Sequence, residues 1–261
     1  MTKNGPSRTL SHVECDICND TELAVVWDDE SSDWLAKPCT CKEQKSINRM
    51  FRDSGLTAQQ SNYTLKDYEV KPGCEELFGV VEKYIKELLE IYSSNGSSKG
   101  IALTGSVGTG KTMLAAIIAN EFLKHRIPVA FVVTLDLMAE LRVAQFGEAN
   151  DLEERIKKLT SIPVVIFDDM GKEKPTEWVQ NQYFRIIDGR YRRNLTTIFT
   201  SNLVFKDLAK VFDTAVISRL FELTKGRQVE VKAKDYRKFG EKHESHFMKK
   251  TDPEELEKFY L

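Results

Sequence analysis

Gly105-Ser106-Val107-Gly108-Thr109-Gly110-Lys111-Thr112 decides how this chain is read. The stretch satisfies G-x-x-x-x-G-K-[ST] and lies between an apolar strand at 101–104 and a helix opening at Lys111, the setting that a phosphate loop needs. Its glycines, Gly105, Gly108 and Gly110, let the backbone curl around phosphates with its N–H groups inward. The following helix adds the positive end of its dipole. Lys111 is expected to reach the β and γ phosphates of a nucleoside triphosphate and Thr112 the magnesium, with Thr109 in the same cradle.

Downstream, Val164-Val165-Ile166-Phe167-Asp168-Asp169 reads as a buried strand ending in paired carboxylates, the form of a Walker B motif. Acids at the C-terminal end of an α/β strand sit where such sheets place ligands. Asp168 is expected to hold magnesium and Asp169 to orient or deprotonate the attacking water, because hydrolysis rests mainly on positioning and charge stabilisation. Thr196 to Asn202 is a second apolar strand with a polar end. Asn202 either bonds the attacking water or γ-phosphate, or caps the helix that begins near Phe205. Arg219, on a helix among apolar neighbours, either neutralises transition-state charge in an adjoining subunit or makes a surface ion pair.

Outward from these motifs, strand and helix patterns alternate over 101–231, with one long helix expected at 205–221 and about five strands joined by parallel crossovers. Leu77, Val80, Val81, Tyr84, Ile85, Leu88 and Leu89 recur at three and four, marking an amphipathic helix over 75–92. The chain has 261 residues and a formal charge of −2, so contact with nucleic acid requires a local patch. No apolar run approaches the ~20 residues that span a bilayer, which leads to the expectation of a cytoplasmic protein without membrane contact. Four of five cysteines, Cys15, Cys18, Cys39 and Cys41, crowd the first forty-one residues. CxxC and CxC bring two thiolate pairs to one metal, and a closed Cys₄ set implies structural zinc; His12 is an alternative ligand. The chain divides into a zinc-binding head (1–55), a linker and helix (56–99), an ATPase domain (100–240) and a charged tail (241–261).

Together these motifs resemble the AAA+ ATPases, in particular the replicative helicase loaders of the DnaC and DnaI type and the related IstB transposition ATPases. Gly105 to Thr112 resembles their Walker A, 166–171 their Walker B, Thr200-Ser201-Asn202 their sensor 1, 217–220 their arginine-finger segment and Asp235-Tyr236-Arg237 their closing sensor 2. The cysteine head is similar to the zinc-binding N-terminal domain of the DnaI-like members. The resemblance implies a P-loop AAA+ core, a five-stranded and mostly parallel sheet flanked by helices, behind a small zinc domain. It also implies self-association through ATP sites, a hexameric replicative helicase as partner, and single-stranded DNA as ligand. Arg237 would act as the sensor 2 arginine. Asp169 stands where many AAA+ proteins carry glutamate, and its shorter reach bears on the hydrolysis rate.

Two basic groups are candidates for DNA contact: Arg185, Arg190, Arg192 and Arg193 with Tyr191, and Arg142 with Lys157 and Lys158. A solvated helix face explains either group equally. Other readings of the whole are an IstB-like transposase helper, a phosphate-loop kinase of small molecules, and a non-hydrolysing nucleotide-binding module.

Overall fold

The computed structural model describes residues 15–29, 32–39, 41–93, 99–148 and 150–233, in two units, 1–53 and 54–261. His12, Arg237 and the charged tail lie outside the described residues. No described helix is long and apolar enough to cross a membrane.

The first unit contains β1 (Leu23–Asp28) and β2 (Asp33–Pro38), paired antiparallel, and α1 (Cys41–Asp53). Reading for motifs alone misses this hairpin. Its pleat separates two faces: Ala24 and Val26 cover the cysteines, whereas Val25 opposite Ala36 and Trp27 opposite Trp34 point the other way.

The second unit opens with two single 3₁₀ turns, then α2 (Glu75–Ser93). Five strands follow: β3 (Ala102–Gly105), β4 (Val129–Val133), β5 (Val164–Asp168), β6 (Thr196–Ser201) and β7 (Gln228–Val231). Their order is β4-β5-β6-β3-β7 and every pairing is parallel, as expected for an α/β core. The connecting helices are α3 (Lys111–Lys124), α4 (Thr134–Gln145), α5 (Asp151–Ser161), α6 (Glu177–Arg192), α7 (Phe205–Val211) and α8 (Thr214–Leu223). Both pleats of β5 are buried, which is why it reads as an unbroken apolar run. Val165 and Phe167 face a core layer supplied by α4, α5, α6 and α8, including Leu141, Ile156, Ile186 and Leu220.

The single helix expected at 205–221 is instead two. The chain is extended at Phe212, whose ring is buried edge-on against Tyr183 with centroids 4.9 Å apart. Gln180 stabilises the break: its amide donates to the carbonyl of Val211 at 2.6 Å and its oxygen accepts the N–H of Asp213 at 3.1 Å. Core insertion and a remote side chain outweigh local helix propensity here.

Arg190 is a second correction. It is fully buried rather than displayed for DNA. Its guanidinium donates to the carbonyls of Leu159 (2.6 Å), Ile162 (2.9 Å), Pro163 (3.2 Å) and Thr196 (2.6 Å) and to the hydroxyl of Thr197 (2.9 Å). These bonds tie α6 to the starts of β5 and β6. The other arginines of that group are also engaged: Arg185 with Glu153, Arg192 with Asp188, and Arg193 with the carbonyl of Thr160. Arg190→Met keeps most of the volume but strands several buried carbonyls, so it is expected to lower stability by on the order of 3 kcal/mol. Urea denaturation measures this, and unchanged stability would show that the bonds contribute nothing.

Candidate nucleotide site and metal centre

The phosphate loop leaves β3 through Gly105, whose φ of 110° is in a glycine-favouring region; an added Cβ would lie 2.1 Å from the carbonyl oxygen of Val231 on neighbouring β7. Gly110, at φ 80°, immediately precedes α3, and there a Cβ would meet the ring of Tyr68 at 2.6 Å. Tyr68 donates its hydroxyl to the carbonyl of Thr109 at 2.8 Å and stacks on Phe78. This buttress comes from 42 residues before Gly110, and no local motif marks it.

Lys111 is buried, and its ammonium donates to the carbonyls of Gly105 (2.9 Å) and Ser106 (2.6 Å), with the Thr109 hydroxyl at 3.4 Å. The loop therefore holds its own cation at its mouth. A buried ammonium needs such acceptors, and phosphate oxygens are stronger ones.

Asp168 ends β5, two strands from β3, and is buried. Burial pushes its carboxyl above the usual carboxylate range, opposed by hydrogen bonds from Thr200 and then Thr112. Thr112 and Asp168, the two expected magnesium ligands, thus meet side chain to side chain, and their oxygen donors suit a hard cation.

Asp169 takes a left-handed conformation, φ 63°. Thr200 serves both acids: its hydroxyl accepts the Asp169 N–H at 2.8 Å and donates to Asp168 Oδ1 at 2.7 Å. Asn202 donates to Asp169 Oδ1 at 2.6 Å, while Lys172 pairs with Oδ2. The side-chain amide of Asn202 therefore faces the second acid; α7 has Val204 at its N-cap and no side-chain cap bond. Ser201 turns inward, donating to the carbonyl of Met170 at 2.6 Å. Thr200 is the group that residue-by-residue reading undervalues, because a threonine late in an apolar strand looks like ordinary β-sheet filling.

Arg219 belongs to a different cluster. Its guanidinium bonds Asp188 Oδ1 at 2.5 Å and the carbonyl of Ala215 at 3.1 Å, and lies over the rings of Phe184 (5.0 Å) and Tyr191 (5.9 Å).

In the head, the sulfurs of Cys15, Cys18, Cys39 and Cys41 all lie within 4.8 Å of one another, with Cys15 to Cys39 at 3.8 Å and Cys18 to Cys41 at 3.3 Å. These separations are far beyond a disulfide and near the ~3.8 Å that tetrahedral Zn–S bonds of ~2.3 Å require. The backbone curls around them: Asn19 N–H bonds the Cys15 carbonyl at 2.9 Å, and Asn19, Asp20 and Glu22 have positive φ. The amides of Cys18 and then Ile17 draw the Cys15 thiol down to about 7, whereas burial and the neighbouring thiols push Cys41 up. Among the described residues the group holds four sulfur donors and no other ligand type, which fits a closed structural zinc site.

A family model described as IstB-like ATP binding protein matches residues 19–245. The replicative helicase loader DnaI of Bacillus subtilis (strain 168) is 31% identical over 121 residues, which is 46% of this chain and 38% of that protein. Phage-like element PBSX protein XkdC of the same organism is 25% identical over 238 residues, 87% of this chain and 85% of that protein. A crystal structure of DnaI superposes with a TM-score of 0.56 at 25% identity, covering 69% of this chain and 94% of that one. With a phosphate loop built against paired strand-end acids, and the family match running through most of its length, the chain belongs to the IstB-like ATP binding proteins of the AAA+ class.

Proposed function

We propose that this protein is an ATP-dependent loader that binds a hexameric replicative helicase and helps place it on single-stranded DNA. The observation that carries the reading is the meeting of Thr112 with Asp168 and of Asn202 with Asp169, the two acids being joined by Thr200, in a chain that also bears a four-cysteine head. The similarity to a protein named replicative helicase loader supports the choice of partner, and the cysteine head favours a loader over a transposase helper.

The loop amides and Lys111 bind the β and γ phosphates of ATP. Thr112 and Asp168 hold magnesium, which supplies charge neutralisation when bound. Asp169 accepts a proton from, or orients, the attacking water, with Asn202 fixing the direction of its carboxylate. Arg219 serves the γ-phosphate of an adjoining subunit, so turnover requires self-association. Arg237 is assigned the sensor 2 role on resemblance alone. Zinc held by Cys15, Cys18, Cys39 and Cys41 organises the head.

The face of the β1/β2 hairpin turned away from the cysteines is apolar throughout: Leu23, Val25, Trp27, Trp34, Ala36 and Pro38. Val25 is 64% exposed and Trp34 62%. Such a patch on so small a unit is the mark of a protein contact, and we assign it to the helicase.

Lys111→Ala is expected to weaken ATP binding by roughly ten- to a hundredfold, read by titration with a fluorescent analogue; retained affinity would overturn the phosphate-loop assignment. The purified full chain should carry about one zinc per molecule by atomic emission. A metal-free protein whose head nevertheless remains folded would count against the cluster. Capture of the hexameric replicative helicase by tagged protein tests the loader reading. Val25→Asp with Trp34→Ala should weaken it by roughly tenfold or more while zinc content and ATP binding stay unchanged. Capture of a transposase and not a helicase would sink the loader assignment.

A further inference from the structure

The turn that follows Asp169 carries an acid with no part in the chemistry assigned above. Glu173 is 4% exposed, five residues after Asp168, with its carboxylate turned into the protein. One oxygen, Oε2, accepts the N–H of Gly171 at 3.2 Å and the hydroxyl of Thr134 at 3.3 Å. The other, Oε1, accepts the hydroxyl of Tyr183. All three groups are donors and an ionised carboxylate is purely an acceptor, so the match is complete in kind.

Each of the three donors comes from a different part of the fold. Thr134 begins α4 where β4 ends, and is fully buried; Tyr183 lies in the middle of α6, fully buried and packed on Phe212; Gly171 sits in the turn itself at φ 94°. Thr134 is also the link to the reacting end of the loop, since its one hydroxyl hydrogen is shared between Glu173 Oε2 at 3.3 Å and the carbonyl oxygen of Asp169 at 3.2 Å. Asp169 is held in a left-handed conformation unusual for a residue with a side chain, and such geometry persists only when its surroundings over-determine it. From β6, Thr200 and Asn202 restrain its amide and carboxylate. On the opposite side, Glu173 is the anchor.

We infer that Glu173 is a positioning residue for ATP hydrolysis: its buried carboxylate clamps the 169–173 turn to Thr134 and Tyr183 and so fixes the direction in which Asp169 presents its own carboxylate. Glu173 touches no reacting atom and acts through Asp169. The inference rests on the ATPase reading proposed above. It explains why a buried acid stands in this turn, where an apolar residue would take the acceptor from the Gly171 N–H and the Tyr183 hydroxyl and leave Thr134 only the carbonyl of Asp169.

The test uses the full chain with Glu173→Gln, Glu173→Ala, Tyr183→Phe, Asp169→Asn and the double variant Asp169→Asn with Glu173→Ala. Glutamine preserves the shape but turns an NH₂ toward donors. Both Glu173 variants should lower kcat by roughly ten- to a hundredfold, the scale expected for a misplaced catalytic group, with affinity for a non-hydrolysable ATP analogue unchanged within about twofold. Tyr183→Phe, which removes one donor and leaves the ring, should lower kcat by a smaller factor. Because Glu173 works through Asp169, the double variant should hydrolyse ATP no more slowly than Asp169→Asn alone. Full multiplication of the two losses, or a parallel loss of nucleotide affinity, would overturn the inference. Amide hydrogen exchange across 169–173 supplies a readout that needs no turnover: Glu173→Gln should speed exchange at Gly171 and its neighbours, and wild-type protection in that variant would equally overturn it. If the wild-type chain proves unable to hydrolyse ATP, the ATPase reading fails by itself and the exchange result still decides whether the clamp exists.

Discussion

Consecutive residues in a β-strand point to opposite faces, so two adjacent acids cannot serve one site while the strand continues. Everything around the nucleotide site depends on how this chain escapes that constraint. β5 stops at Asp168, and the backbone turns left-handed at Asp169. Asp168 stays buried beside Thr112, and Asp169 swings to Asn202. A single hydroxyl, that of Thr200, accepts from the amide of one acid and donates to the carboxylate of the other, a division of labour that an apolar side chain cannot perform. Since Thr200 lies on β6, the arrangement requires β6 to run parallel between β5 and β3, and the observed order supplies it.

The head solves a different problem. Its described residues bury little besides Cys15, Cys18, Ala24 and Cys39, and β2 is exposed along its length. Hydrophobic burial contributes little to ordering so small a unit, and the zinc proposed for the four converging sulfurs would supply what a core otherwise does. That economy leaves one hairpin face exposed, with the edge-to-face pair of Trp27 and Trp34 across the strands as its own contact. Leu23, Val25, Trp27 and Trp34 are therefore available to a partner in a way that the apolar residues of the parallel sheet, covered on both sides, are not.

How legible a residue was in the sequence tracks how local its role is. Gly105 to Thr112 works through contiguous backbone, and the apolar runs of β5 and β6 announce burial on both faces, so loop, acids and sheet class could be read directly. Arg190 and Glu173 could not. Each sits among polar neighbours, where a charge ordinarily marks a solvated face, and each is buried because partners distant in sequence satisfy it: carbonyls from 159 to 196 for the arginine, Thr134 and Tyr183 for the acid. The division of 205–221 into two helices was hidden for the same reason, since Gln180, some thirty residues away, stabilises the break.

Arg219 shows how far a cation can be prepared by its own chain. Its guanidinium, attached by a flexible stem, is bonded to Asp188, which also receives Arg192, and is flanked by the rings of Phe184 and Tyr191. Asp188 is itself buried on α6, so the anchor does not move with the side chain that it holds. For the role in trans proposed for Arg219, such restraint reduces the rotamer freedom lost when a neighbouring subunit's phosphate arrives. The same carboxylate competes for the charge, because an arginine paired with Asp188 offers fewer free donors to a phosphate. Aim and availability are therefore set against each other at Asp188, and the presence of Arg192 on the second oxygen tips the balance by sharing the acid between two cations.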